Sequence, residues 1–360
     1  MINYLKKLDW YLIVSALLLC TIGLTCIYSI SLGGDNFLNF KKQIFFLICG
    51  AFLMIFLGFF DWKGFRDNPY LILTLYAVSV LLLFGLFFSA PEIRGVRGWY
   101  KIGFFSFDPI GITVIILIVL LAKFFSKRHV EMYKIRHIIL SGLYVLIPFA
   151  LIASQPDLGS ALILVAIWLG ILMVSGIKLK HFILLILCFL IIFSVGWMFL
   201  FKEYQKQRII GFLAPQTEIL GINWSQTQSK IAIGSGGIWG QGFGKGSQSQ
   251  NGFLPEPYTD FIFSVIAEEF GLAGITIFLF LFLFLLYRVI KIALLANSNF
   301  PRLFAVGLAI FIFFQAFIHI GMNLGVLPVI GLPLPFVSYG GSNLIAIFIG
   351  LGILQSIKIN

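Results

Sequence analysis

Most of the chain consists of long apolar stretches that carry no Asp, Glu, Lys or Arg. A helix that crosses a membrane needs about 20 apolar residues, and most of these stretches come close to that length or exceed it. The last one is interrupted by Pro328, Pro333 and Pro335, so we divide it into two spans, near 303–323 and 337–357. The stretches are 10–34, 43–60, 68–91, 109–122, 135–156 with Arg136 inside it, 158–177, 181–201, 270–287 and 303–357.

This pattern predicts an all-α integral membrane protein with ten transmembrane helices, which form a single polytopic membrane domain over residues 1–360. The one long connection, about 202–259, lies between spans seven and eight. The fourth span is the shortest, and we expect Lys123 at its end to extend toward the membrane interface.

The composition supports this interpretation, since 60% of the residues are hydrophobic, only 11% are charged and 41 are Phe. A surface in contact with water does not accommodate so many apolar side chains, which excludes a soluble enzyme. The net charge of +11 comes from Lys and Arg that are spread in ones and twos between the apolar stretches. Such a distribution is typical of membrane loops and gives no indication of nucleic-acid binding.

The loop charges also predict an orientation. Fifteen Lys and Arg lie on one set of loops, five lie in the short loops of the opposite side, and five lie in the long loop. The positive-inside rule then places both termini in the cytoplasm of a multi-pass protein of a bacterial cytoplasmic membrane. Ten of the 14 acidic residues fall at or near the outer face, so we expect any chemistry to take place there.

The long loop contains the glycine-rich sequence GSGGIWGQGFGKGSQSQNG. Lys245 is followed by Gly246 and no strand precedes the segment, so the phosphate-binding pattern GxxxxGK[ST] is not met. Two interpretations stay open. The segment is either a flexible outer loop that dips into the interface through Ile238, Trp239 and Phe243, or a part of a substrate site.

The eighth span predicts a helix from about Asp260 to Arg288, which is about 42 Å long and therefore longer than the hydrocarbon core. We expect Asp260 in its first turn, where the helix dipole favours an ionised carboxylate suited to act as a general base. The alternative is that Asp260 only caps the helix. Glu268 and Glu269 are expected at the outer interface or along a cavity, on helix faces that prevent one cluster of three carboxylates.

Several cations are predicted on the same side as Asp260. Together they suit an anionic head group such as a diphosphate, although they also suit ordinary lipid head groups. These residues are Arg94, Arg97, Lys101, Arg208, Lys230 and Lys245.

Five sequence blocks resemble the SEDS family of membrane glycosyltransferases of bacterial elongation, division and sporulation, and specifically its RodA branch. The most extensive are QSKIAIGSGGIWGQGFGKGSQSQNGFLPEPYTDFIFSVIAEEFG at 228–271 and LPVIGLPLPFVSYGGS at 327–342. RGVRGW at 94–99, QPDLGSA at 155–161 and YQKQRIIGFLAP at 204–215 match further family blocks in the expected order. The resemblance covers the chain from about residue 9.

The resemblance implies polymerisation of lipid II into glycan strands at the outer face of the membrane, for elongation and rod shape. The family motif PExHTD places the catalytic Asp at Asp260. The matched blocks imply substrate contacts for a further set of residues, and the cations above other than Lys245 join this set. The residues from the blocks are Gln155, Asp157, Glu256, Tyr258, Thr259, Ser338 and Tyr339.

The resemblance also implies partners, namely lipid II and undecaprenyl-linked glycan, a class B penicillin-binding transpeptidase and the elongation machinery. A divalent cation, Mg or Mn, is a possible cofactor. The chain departs from the family twice. Tyr258 replaces the motif histidine, and the fourth span reads Pro109 to Val114 where relatives read PSExxK. Three functions therefore stay open: a polymerase of normal or reduced activity, a lipid II flippase, and a non-catalytic scaffold for the transpeptidase.

Overall fold

The computed structural model describes residues 6–91, 98–103, 105–127, 135–199, 201, 203–213 and 223–359. These residues are mostly helical, with one short β-hairpin. In chain order the elements are α1 (Trp10–Gly34), α2 (Leu38–Gly58), α3 (Lys63–Asp67), α4 (Pro69–Ser89), β1 (Tyr100–Ile102), β2 (Phe105–Phe107), α5 (Ile110–Ser126), α6 (Ile135–Ser154), α7 (Leu158–Val174), α8 (Leu179–Phe199), α9 (Glu203–Leu213), α10 (Trp224–Ser235), α11 (Ser247–Gln250), α12 (Ile262–Leu295), α13 (Asn299–Leu324) and α14 (Gly341–Ile359).

Eight helices of the described residues are long and apolar enough to cross a membrane. Two further apolar helices, α5 and α7, have 17 residues each. The prediction of a helical, multi-pass membrane protein is therefore confirmed, whereas ten spans stay a prediction. Lys123 does not extend to a surface as we expected, because its side chain is buried among α5 and its neighbours.

The hairpin of β1 and β2 is absent from the sequence-based prediction. Its strands are antiparallel, with Lys101 opposite Ser106. The hydroxyl of Ser342, at the start of α14, links the hairpin to the bundle. It accepts a hydrogen bond from Asp108 N at 3.0 Å and lies 3.4 Å from Ser106 O. The N-terminal end of α5 is thus connected to the start of the last helix.

Small residues allow close packing between helices. A Cβ added to Gly50 of α2 would lie 2.4 Å from the Phe348 ring of α14, and one added to Gly352 would lie 3.0 Å from Met54 O. Glycines at such contacts let helix backbones approach each other, as is typical of helix pairs in membranes. α14 is accordingly one of the most buried helices of the bundle.

The N-terminal end of α1 is joined to α12 and α14 by a buried polar network. Asp9 caps α1 and accepts a hydrogen bond from Arg288, while Lys358 Nζ lies 3.4 Å from the same carboxylate. Gln355 accepts from Asp9 N at 2.8 Å and donates to Asp9 O at 3.1 Å. The guanidinium of Arg288 also lies 5.1 Å above the Tyr11 ring.

α12 is broken at Gly271, whose φ of 62° and ψ of −160° are not helical. The freed backbone groups bind the glycine-rich segment 236–246. Gln241 N and Gly242 N donate to the carbonyls of residues 268 and 269, and the amides of residues 272 and 273 donate to carbonyls of residues 237 and 238, over 2.8–3.0 Å. A Cβ on Gly240 would lie 2.1 Å from the carbonyl oxygen of residue 269, so only glycine fits there. The segment is thus a packed part of the fold and not the flexible loop of our first interpretation.

Candidate functional site

The prediction that Asp260 lies in the first turn of the helix is wrong. Asp260 lies on a turn that precedes α12. The helix begins at Ile262. Within the turn, the amides of Thr259, Asp260 and Phe261 all donate to the carbonyl of Glu256, over 3.1–3.4 Å. Glu256 has a positive φ of 45°, which is uncommon for a residue with a side chain. The turn therefore has a defined backbone, and Asp260 is partly exposed on it.

The loop between α13 and α14 holds this turn from one side. Ser338 Oγ donates to Thr259 O at 2.7 Å and accepts from Leu334 N at 2.7 Å, and Tyr339 N donates to Tyr258 O at 2.9 Å. Four of the predicted substrate-binding residues are thus brought together. The hydroxyl of Ser338 is buried and used in these contacts, so it positions the turn.

Gln43 of α2 supports the same loop from the opposite side. Its amide donates to Ser338 O at 3.2 Å and accepts from Gly340 N at 3.3 Å. Gln43 was not among the predicted site residues; it is a single polar residue within an apolar stretch and is buried. Such an isolated polar residue in a span is the signal that indicates a functional or structural contact.

The residues 329–332 of this loop lie beside the carboxylate. A Cβ on Gly331 would lie 3.5 Å from Asp260 Oδ2, and the φ of Gly331 is 78°. Arg208 of α9 donates to Val329 O at 3.4 Å. Arg208 therefore binds the segment that passes beside Asp260, so a predicted cation and the predicted base belong to the same region.

The QPDLG block approaches the same segment from α7. A Cβ on Gly159 would lie 2.6 Å from Ile330 and 2.8 Å from Leu332. Asp157 caps α7 and accepts from Ser160 N at 3.0 Å and from Ser160 Oγ at 2.7 Å. Burial raises the pKa of Asp157, and these hydrogen bonds partly oppose the rise. Gln155, also predicted as a substrate residue, is buried and donates to Leu83 O at 2.8 Å, which makes it a structural contact.

Asp108 is a second acid of this region that the sequence analysis did not single out. The pKa of Asp108 is raised to about 7, mainly by burial. The hydrogen bond from the Ile110 amide lowers this pKa, and the charge of Asp157 raises it. The two carboxyl groups are therefore close enough to influence each other. The signal was available, because Asp108 directly precedes the Pro109 block that departs from the family motif.

The other predicted cations are placed as follows. Lys101 is exposed on β1, and Lys230 is exposed on α10, where its side chain lies against Gly325 at the end of α13. A Cβ on Gly325 would lie 1.9 Å from Lys230 Cε, so this glycine makes room for the lysine. Arg94 and Arg97 lie outside the described residues.

Glu268 and Glu269 were expected at the outer interface or along a cavity, and this expectation is wrong. Both are buried. Glu268 accepts from the amides of Gln248 at 2.6 Å and Ser249 at 3.1 Å, and Glu269 accepts from the hydroxyl of Ser29. The two acids therefore hold the long loop and α1 against α12.

A divalent cation was one possible cofactor. In the part of the chain that the structure describes, no group of three or more His, Cys, Asp or Glu side chains is arranged to hold a metal ion. The described residues thus do not fit a metal centre built from protein ligands alone.

The helical bundle and the acidic turn held at one end of it define a multi-pass membrane protein with a polar site at the ends of its helices. The model of the cell cycle protein family of FtsW, RodA and SpoVE matches residues 8–360. The chain belongs to this family, which confirms the resemblance seen in the sequence blocks.

Among its relatives, the peptidoglycan glycosyltransferase MrdB of Escherichia coli (strain K12) is 38% identical over 283 residues, which cover 79% of this chain and 76% of MrdB. The stage V sporulation protein E of Bacillus subtilis is 35% identical over 358 residues, which cover 97% of this chain and 96% of that protein.

Two solved structures are also similar. A chain from a peptidoglycan synthase complex, described as coordinating polymerization and crosslinking, superposes with a TM-score of 0.82 at 30% identity, over 98% of this chain and 97% of that one. The rod shape determining protein RodA of Thermus thermophilus superposes with a TM-score of 0.73 at 28% identity, over 98% and 96% of the two chains. The similarity therefore extends over the whole bundle.

Proposed function

We propose that the protein is a peptidoglycan glycosyltransferase that polymerises lipid II at the outer face of the cytoplasmic membrane, for cell elongation and rod shape. Family membership and the similarity to MrdB and RodA support the activity. The observation that carries the assignment of the site is the turn of Asp260. It presents a partly exposed carboxylate on a backbone held by Ser338 and Tyr339.

In the proposed reaction, the 4-hydroxyl of one lipid-linked disaccharide attacks the anomeric carbon of the growing glycan. Asp260 accepts the hydroxyl proton as a general base, and undecaprenyl diphosphate leaves. Cations would stabilise the negative charge of the diphosphate. Among the cations that the structure describes, Arg208 is the best placed, since it contacts Val329 two residues from Gly331, which borders the carboxylate. Arg94, Arg97, Lys101 and Lys230 stay proposed contributors.

The membrane topology forms part of the proposal. We propose ten spans in one polytopic domain, made of the eight long helices together with α5 and α7, with both termini cytoplasmic and the 202–259 loop outside. A helix of 17 residues is about 26 Å long, slightly less than an average hydrocarbon core, and a bilayer accommodates such a mismatch at modest cost. The distribution of Lys and Arg supports the orientation.

The proposed partners follow from the family and from the similar chain in a peptidoglycan synthase complex. They are lipid II with the undecaprenyl-linked glycan, a class B penicillin-binding transpeptidase and the elongation machinery. Glu256, Tyr258, Thr259, Gln155, Asp157, Ser338 and Tyr339 stay proposed to surround the substrate, with Ser338 and Gln155 acting through the backbone they hold.

A specific observation supports the scaffold as a second candidate. Gly111 stands in the block where relatives have the Glu of PSExxK, and a Cβ there would lie 2.9 Å from the Cβ of Ala346. Val114, in the same block, is buried. The outer end of α5 is therefore filled by apolar packing, which leaves no acid or lysine at these positions to assist Asp260.

The experiment is to compare the wild type with Asp260→Asn, using labelled lipid II and protein purified alone and with a co-expressed class B transpeptidase. Loss of the base should lower polymerisation about a hundredfold or more. Asp35→Asn, a change of an exposed acid at the end of α1, is the control and should keep the wild-type rate.

The two other functions give different results. A flippase makes no polymer in either form. A scaffold supports crosslinking by the transpeptidase equally well in both forms. Polymerisation by Asp260→Asn at the wild-type rate would remove Asp260 from the mechanism.

A further inference from the structure

The carboxamide of Asn323 in α13 bridges the two ends of the first turn of α12. Its Nδ2 donates to Asp260 O at 3.0 Å, and its Oδ1 accepts from Ser264 N at 3.3 Å. In an uninterrupted helix, the amide of residue 264 would donate directly to the carbonyl of residue 260. Here the amide of Ser264 also donates to Phe261 O, at 3.0 Å, and the carbonyl of Asp260 is bound by the Asn323 side chain, so the helix begins after Asp260.

The orientation of this carboxamide is determined by its neighbours. Nδ2 also donates to His319 O at 2.8 Å, and Oδ1 also accepts from Ser264 Oγ at 2.6 Å. A carboxamide has two donor hydrogens and an oxygen with two lone pairs, and all four are used. If N and O were exchanged, the NH2 group would face the amide of Ser264 and the oxygen would face the two carbonyl oxygens, so only one orientation fits.

The main chain of Asn323 is bound as well. Asn323 is fully buried, and its main-chain carbonyl accepts a hydrogen bond from Ser229 Oγ of α10 at 2.8 Å. Ser229 Oγ lies 2.6 Å from Ser264 Oγ, which connects the long loop to the same network. Fully satisfied buried polar networks of this kind specify one arrangement of the elements that they join.

We propose that Asn323 is a positioning residue for Asp260, because it prevents the Asp260 carbonyl from closing the first turn of α12 and so keeps the carboxylate on the turn. The inference rests on the proposed function, in which Asp260 is the base. Without the carboxamide, Asp260 O loses the hydrogen bond from Asn323, and the amide of Ser264 can exchange its present acceptor, Phe261 O, for Asp260 O. Asp260 then joins the helix, and its carboxylate rotates away from residues 329–332.

The test uses Asn323→Ala with Gln355→Ala as its matched control. Gln355 is equally buried and its carboxamide likewise bridges a main-chain amide and a carbonyl, those of Asp9, near the opposite end of α12. Asn323→Ala loses three hydrogen bonds to the backbone and Gln355→Ala loses two, and both leave a cavity, so both should unfold at a lower temperature than the wild type. Only Asn323→Ala should lower kcat for lipid II polymerisation, by tenfold or more, with KM changed less than threefold.

A second variant covers the case in which Asn323→Ala does not fold. Ser264→Ala removes only the hydroxyl that donates to Asn323 Oδ1, and it should lower kcat about threefold with little change in melting temperature. Equal loss of kcat in Asn323→Ala and Gln355→Ala would overturn the proposal, as would an unchanged kcat in Ser264→Ala if Asn323→Ala does not fold.

Asp260→Asn separates this inference from the proposed function. If Asp260→Asn polymerises at the wild-type rate, the assignment of the base fails whatever Asn323→Ala does. If Asp260→Asn is inactive and Asn323→Ala is fully active, only the positioning role fails. The double variant should be no slower than Asp260→Asn alone, because misplacing a base that is already absent has no further effect.

Discussion

The carbonyl of Val329 accepts a hydrogen bond from the guanidinium of Arg208. Two residues further along lies Gly331, where an added Cβ would be in van der Waals contact with the carboxylate of Asp260. An acid and a cation from segments more than 50 positions apart in the chain are thus connected by one loop. The position of that loop should decide whether the two act on the same substrate.

Gly331→Ala tests the space beside the carboxylate. A Cβ at a φ of 78° should cost about 1 kcal/mol of stability through backbone strain. It should also lower polymerisation, because the methyl group, in van der Waals contact with Asp260 Oδ2 at 3.5 Å, takes up space beside the base. Gly176→Ala is the control, since Gly176 has a φ of 88° with no atom near its added Cβ. It should lose similar stability and keep the activity. Equal activities of the two variants would contradict the prediction.

The pair of Asp9 and Arg288 should make a large contribution to stability. The side chain of Asp9 is fully buried, so Asp9→Asn should lower the free energy of unfolding by about 3 kcal/mol, as expected when one partner of a buried ion pair is removed. Glu203→Gln, which alters an exposed pair with Lys206, should change it little. Thermal unfolding in detergent measures both.

The same pair predicts a pH dependence. Burial would raise the pKa of Asp9, but the hydrogen bond from Arg288, the Leu12 amide and the charge of Lys358 together hold it below its ordinary value of 3.8. The stabilisation is therefore present above about pH 4 and is lost as the pH falls through the lower pKa of the folded state. The melting temperatures of wild type and Asp9→Asn should converge on acidification.

Asp108 should show the opposite dependence. Its pKa in the folded protein is about 7, against an ordinary value of 3.8, so the folded state binds the proton more tightly. Stability contributed by this group is present at low pH and is lost as the pH rises toward 7. Asp108→Asn should therefore be more stable than the wild type at pH 8 and lose this advantage at pH 4. A difference in melting temperature that does not vary with pH would contradict it.

Two glycines of the glycine-rich segment differ in whether an added Cβ would contact α12. Gly240 and Gly237 both have a positive φ, but a Cβ at Gly240 would lie 2.1 Å from a main-chain oxygen of α12, whereas no atom lies near one at Gly237. Gly240→Ala should displace the segment and reduce both the melting temperature and the activity. Gly237→Ala should show only the cost of strain. The yield of folded protein and its unfolding temperature are the measurements.

Cysteine labelling checks the proposed topology. In a variant without the four native cysteines, Ser247→Cys should react with a membrane-impermeant reagent in intact cells, and Lys63→Cys should react only after lysis. Both positions are exposed in the fold. Protection of residue 247 in intact cells would reverse the orientation and place Asp260 on the cytoplasmic side.

The membrane helices were predictable because apolar stretches report their length directly. The N-terminus of α12 was not predictable, since the carbonyl of Asp260 accepts from the carboxamide of Asn323, some 60 positions later, while the amide of Ser264 donates to Phe261 O. The burial of Glu268 was not predictable either. Its partners are main-chain amides of the long loop, and a sequence pattern gives no information on such distant contacts.

The candidate site was predicted in outline. Asp260 was identified from its place at a helix start and again through the resemblance, which alone identified Thr259, Ser338 and Tyr339, and the fold brings these residues together. Their separate roles were not predictable. Ser338 is of a residue type that often binds substrates, yet its hydroxyl is hydrogen-bonded to two main-chain groups.

The break in α12 at Gly271 has a consequence for biogenesis. Main-chain groups without partners cost several kcal/mol each in lipid, so a helix broken in this way is a poor candidate for insertion by itself. Its partners at residues 237–242 precede it in the chain and leave the ribosome first. Residues 237–242 are therefore synthesised before α12, whose main-chain groups they bind. A circular permutant that reverses this order should insert α12 less efficiently.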